Sequence, residues 1–370
     1  MQGCRLTSLP ALLSGAATSA DAEGEATARV AVQANASIAH QTPPARSMLS
    51  SIQQPIAWPG FGPARSPLPR TSKPAVRCRA AEMLVGVGSS VPETFLTNHD
   101  LEKLVQTSDE WIVSRTGIKK RHVLGKGETL VQHATASANR ALEMAGISAK
   151  DIDLVLFATS SPDDVFGSAC QVCTARRNAR RGPQERGART CILFGDGCGA
   201  VVVSTNPDPS APGAILGMEM GSDGAGHRHL HCTFAGGGLK PMAEGDEASS
   251  RASYANIHMA GQDVFKFAVR TVPAVIDGAL AKANLTKESV DWLVMHQANQ
   301  RILDAAALRL GLPADRVVSN LAQYGNTSAA SIPLALDEAV RGGLIKPGDK
   351  IAMAGFGAGL TWAGAIVRWG

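Results

Sequence analysis

The feature that most constrains this chain is an internal repeat. Residues 141–157 show a helix pattern, an acidic turn and a buried strand pattern, and residues 279–295 repeat these in the same order. A second pair, residues 192–203 and 351–367, shows an apolar strand, a glycine-rich turn and a returning strand. Two copies of one unit predict a duplicated α/β architecture with pseudo-two-fold symmetry. Uninterrupted apolar runs, such as residues 152–159, favour a parallel or mixed sheet covered on both faces.

The first copy of the repeat is shorter than the second. In the second copy, a long interval separates His296 from Gly355. In the first copy, the interval between their counterparts, Ala158 and Gly195, is much shorter. The part of it at positions 173–189 is rich in arginine and has no pattern of a buried strand. Because a strand-helix-strand unit needs roughly 30 residues with apolar faces, we expect the first half to be incomplete there.

Residues 1–78 differ in composition from the rest of the chain. They hold nine of the 20 prolines, many serines and alanines, and seven Lys or Arg residues against three acidic ones. Such a segment buries too little apolar surface to offset its ordering entropy. Its Arg-rich, acid-poor composition is typical of a transit peptide, and the absence of a long amphipathic helix favours the plastid. We therefore expect a disordered transit peptide at 1–78, with a plain disordered tail as the alternative, and two halves at 79–205 and 206–370.

Charge and cysteine content exclude several classes of protein. The net charge of +4 comes from the leader, because residues 79–370 carry 29 basic and 29 acidic side chains. Nothing therefore indicates nucleic-acid binding. No stretch reaches the roughly 18 consecutive apolar residues of a membrane span, so no membrane partner is expected. The seven scattered cysteines fit a reduced compartment better than a disulfide framework.

Polar residues with catalytic potential lie in the second copy. His296 follows the apolar run 292–295, at the carboxyl end of a strand, where α/β sheets bind ligands. Asn326 follows later in the chain, in a turn that begins a helix, and residues 355–359 form a glycine loop. Each feature alone has an ordinary explanation, as a packing histidine or a common turn. Together, a His donor, an Asn donor and free backbone N–H groups can stabilise an oxygen that gains negative charge.

With these residues, the chain resembles the β-ketoacyl-[acyl carrier protein] synthase III family over almost all of residues 83–370, and within it the plant plastid branch. The motifs that carry the resemblance are Thr-Ser-Asp-Glu-Trp-Ile at 107–112, Arg-Thr-Gly-Ile at 115–118, Phe-Gly-Asp-Gly at 194–197, His-Gln-Ala-Asn-x-Arg at 296–301, Gly-Asn-Thr-Ser at 325–328 and Gly-Phe-Gly-Ala-Gly-x-Thr-Trp at 355–362. The resemblance implies the α/β thiolase fold, with two pseudo-symmetric halves in αβαβα layers. It also implies a homodimer.

The resemblance also implies an activity and residue roles. The family joins acetyl-CoA to malonyl-[acyl carrier protein] by decarboxylative Claisen condensation, without a cofactor or a metal. His296 and Asn326 then correspond to the two donors that stabilise the enolate oxygen. The implied oxyanion loop is at Gly357 and Ala358. The implied CoA-binding residues are Trp111, Arg115 and Asn299. The implied carrier-protein-binding residues are Lys266, Gln297, Ala298, Gln300 and Arg301.

The chain departs from the family at the nucleophile. The family's reactive cysteine lies in an Ala-Cys-Ser-Gly-like turn, the first-half counterpart of residues 325–328, and this chain has no such motif. Cys191 begins an apolar strand and Cys198 lies in a glycine turn, which is typical of small core residues. We therefore expect the catalytic cysteine to be absent, together with core from the centre of the first half, and the chain to express poorly.

Two patterns have a metal site as the weaker alternative. Cys170 and Cys173 form a lone C-x-x-C, but no second pair of that spacing completes a four-Cys zinc site. The tract at residues 227–232 has three His that would share one face of an extended strand. An exposed edge segment before a glycine-rich turn is the simpler interpretation. We therefore expect no metal.

Three functional hypotheses stay open. The first is an acyltransferase of the synthase III family whose missing segment reflects an incomplete gene model or a splice form. The second is a catalytically dead homologue with at most an interaction or malonyl-decarboxylase activity. A chalcone-synthase-like enzyme is a lesser alternative, and the Trp111 and Arg115 motif and the leader argue against it.

Overall fold

The computed structural model describes residues 28–35, 81–162, 191–206, 214–235, 253–254 and 257–370. The strands are β1 (Ala28–Asn35), β2 (Ala81–Ser90), β3 (Phe95–Thr97), β4 (Lys120–His122), β5 (Ile152–Ala158), β6 (Gly197–Asn206), β7 (Ile215–Ser222), β8 (Leu230–His231), β9 (Phe234–Ala235), β10 (Ser253–Tyr254), β11 (His258–Met259), β12 (Trp292–Met295), β13 (Lys350–Gly357) and β14 (Thr361–Arg368). The α-helices are α1 (Asn98–Glu102), α2 (Asp109–Thr116), α3 (Leu130–Ala145), α4 (Gly261–Ala283), α5 (Gln300–Leu310), α6 (Leu321–Tyr324) and α7 (Ser331–Arg341).

Two four-stranded sheets of the same construction form the framework. The first has the order β2-β6-β1-β5, and the second, from the equivalent edge, has the order β7-β14-β13-β12. In each sheet the third strand is parallel to the fourth and antiparallel to the second. The first and second strands are antiparallel in both sheets. The matching order and direction confirm the duplicated architecture that the sequence repeat predicts.

Helices cover both sheets and separate them. The helix α3 packs its apolar face on β6 at the outer side of the first sheet. The helices α4 and α5 do the same on β12, β13 and β14 at the outer side of the second. The helix α7 lies between the sheets, in a core that includes β2 and β13. The result is the αβαβα layering expected of the thiolase fold.

The same close glycine contact occurs in both halves. A Cβ at Gly86 on β2 would come within 2.2 Å of the carbonyl oxygen of Ala141 on α3. A Cβ at Gly217 on β7 would come within 2.3 Å of the carbonyl oxygen of Ala279 on α4. These alanines are equivalent in the sequence repeat, so each half uses a glycine to let its outer helix approach the sheet.

The strand β1 corrects one expectation. Residues Ala28–Asn35, expected to belong to a disordered leader, form a strand of 8 residues between β5 and β6. Backbone pairing on both sides supplies the hydrogen bonds that offset the cost of ordering this segment. It occupies the position that β13 has in the second sheet. The rest of residues 1–78, and the arginine-rich interval 173–189, lie outside the described residues.

A buried polar network joins α7 to the first sheet. Asp337, 1% exposed, accepts hydrogen bonds from the Ser89 hydroxyl at 2.5 Å and from Arg341 Nε at 2.6 Å. Arg341 Nη2 also donates to the carbonyl of Val87 at 3.2 Å. Because Ser89 and Val87 belong to β2, this network holds the middle helix of the second half against the first half.

No helix in the described part of the chain is long and apolar enough to cross a membrane.

Candidate active site

His296 directly follows β12 and lies half-buried in a largely apolar setting. Its backbone N–H donates to the carbonyl of Ala354 on β13 at 2.8 Å, and its ring meets the ring of Phe356 edge-on, with centroids 5.2 Å apart. Its Nδ1 lies 2.7 Å from the hydroxyl oxygen of Ser331. Desolvation lowers the pKa of His296 to about 4, against the opposing effect of a hydrogen bond with the Ser328 backbone. The imidazole is therefore neutral near pH 7.

Asn326 is held by the first half of the molecule. Its backbone N–H donates to the carbonyl of Leu193 at 2.8 Å, and its carbonyl accepts from the N–H of Gly195 at 3.0 Å. Its side chain is 8% exposed, and Oδ1 accepts from the N–H of Ser328 at 2.9 Å. A Cβ at Gly195 would lie 2.0 Å from the carbonyl oxygen of Tyr324, so only glycine permits this close approach of the two segments.

The segment 326–331 connects both residues. The Ser331 hydroxyl oxygen lies 2.7 Å from His296 Nδ1 and 2.7 Å from the carbonyl oxygen of Ser328, while the N–H of Ser328 donates to Asn326. Among the described residues, Asn326 Nδ2 has no hydrogen-bond partner. An uncharged imidazole and an uncharged carboxamide that point to one place can stabilise an oxygen that gains negative charge.

The glycine loop begins beside His296. The strand β13 ends at Gly357, one residue after Phe356, and Ala358 follows. The Ala358 carbonyl accepts from the Thr361 hydroxyl at 3.1 Å, which fixes the start of β14. The expected oxyanion loop at Gly357 and Ala358 therefore borders the ring that contacts His296.

The three expected CoA-binding residues lie near one another. Trp111 and Arg115 are both exposed on α2, Trp111 at 49%. Asn299 Nδ2 donates to the backbone carbonyl of Arg115 at 2.9 Å, and Oδ1 accepts from the N–H of Arg301 at 2.9 Å. The Asn299 amide thus caps α5 and fastens it to α2, a structural task that its motif does not indicate.

Four of the expected carrier-protein residues lie at or near the surface. Lys266 on α4 and Arg301 on α5 are exposed, and the Arg301 guanidinium lies 5.4 Å from the ring centre of Phe265. Ala298 and Gln300 are half-buried, and the Gln300 amide donates within α5. The two cations thus stand on neighbouring helices of the second half.

Gln297 is a correction. We expect it, from the motif, to contact the carrier protein, but its side chain is 0% exposed. Its Nε2 donates to the carbonyls of Met295 and Val318 at 2.8 and 3.2 Å, and its Oε1 accepts from the N–H of Asn320 at 3.2 Å. These bonds satisfy buried backbone groups around β12. The side chain is therefore internal and cannot reach a docked protein.

Two of the three described cysteines, Cys198 and Cys232, differ from an activated nucleophile. Cys198 is buried, and its Sγ lies 3.6 Å from the carbonyl of Leu130. Cys191 is half-buried. Desolvation raises the pKa of the Cys232 thiol, whereas a reactive cysteine needs a lowered pKa. Cys170 and Cys173 lie outside the described residues.

The histidine tract at residues 227–232 does not adopt the extended strand that a shared histidine face would need. Residues Gly224–His229 form a 3-10 helix, and only Leu230–His231 is a strand. The three histidines therefore do not share one strand face, as they would in a continuous extended strand. Among the described residues, no group of three His, Cys, Asp or Glu side chains is arranged to hold a metal.

Ser331 is the site residue that sequence reasoning misses. It is 1% exposed and contacts His296, although the two lie far apart in the sequence. The available signal is a serine that opens the helix after the Asn326 turn. Serine is common at helix starts, so that signal has an ordinary explanation.

Comparisons with known proteins identify the family of the chain. The family model described as 3-Oxoacyl-[acyl-carrier-protein (ACP)] synthase III matches residues 170–224, and the model of its C-terminal part matches residues 280–369. The chain is 47% identical over 332 residues to a beta-ketoacyl-[acyl-carrier-protein] synthase III of Microcystis aeruginosa, covering 79% of this chain and 98% of the relative. It is 45% identical over 341 residues to a chloroplastic synthase III of Arabidopsis thaliana, covering 77% of this chain and 82% of the relative.

A solved structure is similar as well. The structure is similar to the 3-oxoacyl-[acyl-carrier-protein] synthase III of Aquifex aeolicus, with a TM-score of 0.66 and 35% identity over 78% of this chain and 100% of the other. The similarity in sequence and in fold extends over both halves. The chain therefore belongs to the β-ketoacyl-[acyl-carrier-protein] synthase III family, the condensing enzymes that initiate fatty acid synthesis.

Proposed function

We propose that this chain carries out the malonyl-activating half of the family reaction, the decarboxylation of a malonyl thioester. The observation that carries the proposal is the pair of uncharged donors, His296 and Asn326, joined by the segment 326–331. When CO2 leaves, the electron pair of the broken C–C bond passes into the thioester, and the oxygen becomes an enolate. Two donors preorganised at that oxygen lower the barrier because they bind the charge as it develops.

The acyl-transfer half is expected to be missing. The sequence has no Ala-Cys-Ser-Gly-like turn. Of the described cysteines, Cys198 is buried, and desolvation raises the pKa of the Cys232 thiol. The alignment with the Microcystis relative runs over 332 positions, although 79% of the 370 residues of this chain take part. This supports a segment of the relative without a counterpart here. Without an acyl-cysteine to attack, the enolate carbon takes a proton from water, so the products are CO2 and the acetyl thioester.

The test follows labelled CO2 from malonyl-[acyl carrier protein] in the presence of acetyl-CoA. We expect CO2 and acetyl-[acyl carrier protein], with no acetoacetyl product and no acetylated protein by intact mass. His296→Ala and Asn326→Ala should each lower the rate on the order of 10²-fold, the usual cost of one oxyanion donor. The control is Ser137→Ala, which removes a buried hydroxyl on α3 remote from the site in sequence. An acetoacetyl product would show a complete condensing enzyme, and no CO2 release would refute the proposal.

The acidic carrier protein is proposed to dock at Lys266 and Arg301. Both side chains are exposed, on α4 and α5. Lys266→Glu and Arg301→Glu should raise KM for malonyl-[acyl carrier protein] several-fold and leave KM for malonyl-CoA unchanged, because the CoA thioester has no carrier protein. Lys282→Glu, also exposed on α4, is the matched control. Equal effects on both substrates would contradict this docking site.

We propose three further properties of this chain: a plastid location, a homodimer and a reaction that needs no cofactor. Plant relatives such as that of Arabidopsis thaliana are named chloroplastic, and cyanobacterial relatives are equally similar. Import into isolated chloroplasts tests the location, and sedimentation of the purified chain tests the dimer. Decarboxylation that survives dialysis against a chelator would agree with a reaction that needs no metal.

A further inference from the structure

The Ser331 hydroxyl lies between two groups that compete for its single hydrogen. One is the backbone carbonyl of Ser328, at 2.7 Å, and the other is Nδ1 of His296, also at 2.7 Å. Ser331 is 1% exposed and is the first residue of α7. The hydroxyl is therefore confined among protein groups and has a choice of two acceptors.

The choice decides which nitrogen of His296 carries the proton. A neutral imidazole has one N–H, on either Nδ1 or Nε2. If the hydroxyl donates to Ser328, Nδ1 can bond to it only by donating, and Nε2 is left as an acceptor. If the hydroxyl rotates and donates to Nδ1, the proton is on Nε2, which then becomes a donor. The proposed decarboxylation needs a donor at the ligand oxygen.

We propose that Ser331 is a positioning residue that permits the donor tautomer of His296, with the ring proton on Nε2. Of the Ser331 hydroxyl and the Ser328 carbonyl, only the hydroxyl can donate to Nδ1, because a carbonyl oxygen only accepts. Removing the hydroxyl takes this donor away and leaves the Ser328 backbone as the remaining polar partner of the ring, which favours a proton on Nδ1. The importance of tautomer is general, since a histidine kept in the wrong tautomer loses orders of magnitude in rate although its geometry is intact.

The direct test is nitrogen NMR of the full chain labelled with ¹⁵N-histidine. His296→Gln identifies the His296 signals by their disappearance. We expect a substantial Nε2–H population in the wild type, a shift to Nδ1–H in Ser331→Ala, and return of the wild-type pattern in Ser331→Thr, which keeps the hydroxyl. Ser137→Ala, which removes an equally buried hydroxyl on α3, should leave the pattern unchanged. The same tautomer in the wild type and in Ser331→Ala would overturn the proposal.

A second readout is kinetic, and this part rests on the proposed function. Ser331→Ala should lower kcat for malonyl-thioester decarboxylation about 10- to 100-fold with KM within about two-fold, because the substrate still binds and only the oxyanion donor is lost. If the wild type releases no CO2, the proposed function fails, while the NMR result still decides the role of Ser331. If Ser331→Ala does not fold, Ser331→Cys, close in volume with a weaker donor, should give an intermediate tautomer ratio. An unchanged ratio in that variant would count against the proposal.

Discussion

The two sheets have the same strand order but obtain their third strand in different ways. In the second sheet, β13 and β14 follow one another and pair as an antiparallel hairpin. In the first sheet, the equivalent of β13 is β1, which lies far ahead in the chain and pairs in parallel with β5. Loop-closure entropy grows only slowly with loop length, so a distant segment can fill such a position. A segment can therefore complete the sheet when its strand direction and backbone pairing fit, even if it is distant in the sequence.

The halves also differ in chemistry. The second half ends its strand β12 in His296, whereas the first-half counterpart of that residue is Ala158. The first half instead contributes Leu193 and Gly195, which hold Asn326. The second half thus supplies both expected donors, and the first half holds one of them, Asn326.

The largest expected effect comes from removing β1. A chain that begins at Ala81 loses the strand that pairs with both β5 and β6, so we expect aggregation or loss of a cooperative thermal transition. A chain lacking only residues 1–20 keeps β1 and should melt like the full chain. Val32→Pro, which removes a backbone donor in mid-strand, should destabilise by about 3 kcal/mol or more. A truncated chain that melts at the full-chain temperature would show that β1 is dispensable.

The next effect concerns the network between the halves. Asp337→Ala leaves buried hydrogen-bond donors without a partner and should lower the free energy of unfolding by about 3 to 5 kcal/mol. Asp277→Ala breaks only an exposed ion pair with Lys287, and both residues belong to the second half. This variant should cost less than about 1 kcal/mol. Urea denaturation measures both. Equal losses would mean that the contact between the halves contributes no more than a surface pair.

Two glycines that the sequence repeat aligns offer a smaller comparison. Gly195→Ala places a Cβ 2.0 Å from the Tyr324 carbonyl and should cost about 3 kcal/mol. At Gly355 the nearest atom is 3.6 Å away, on Ile332, so Gly355→Ala should change stability by less than about 1 kcal/mol. Thermal melts of both variants check this difference. A reversed order would show that the contact with Tyr324 relaxes freely.

The smallest effect is a pH dependence confined to the second half. The pKa of His296 is lowered from its ordinary value of 6.5 to about 4, so between these values the unfolded chain binds a proton that the folded chain does not. Stability should therefore fall as pH falls, by about 2 kcal/mol between pH 8 and pH 5. His296→Gln should remove this part of the slope in urea denaturation. An unchanged slope would contradict the lowered pKa.

Much of the fold and part of the site follow from the sequence. The repeat predicts the two halves because duplicated units keep their apolar pattern. His296 and Asn326 are recognisable because a strand end and a helix start limit where such side chains lie. The segment 326–331 contacts both side chains, while their role as a donor pair stays a prediction.

The rest depends on contacts between distant segments. The strand β1 has valine at alternate positions, Val30 and Val32, but two valines within a proline-rich region give too weak a signal. Gln297 shares a motif with surface residues, yet the backbone groups that it satisfies become neighbours only in the folded chain. Ser331 is hidden for the same reason, because its contact with His296 is tertiary.

The anchoring of Asn326 to Leu193 and Gly195 makes the donor pair a reporter of global integrity. A molecule whose N-terminal half has come loose loses the placement of its carboxamide before its own C-terminal core melts. We expect such a damaged molecule to lack the proposed decarboxylase activity, so that misfolded copies do not consume malonyl thioester.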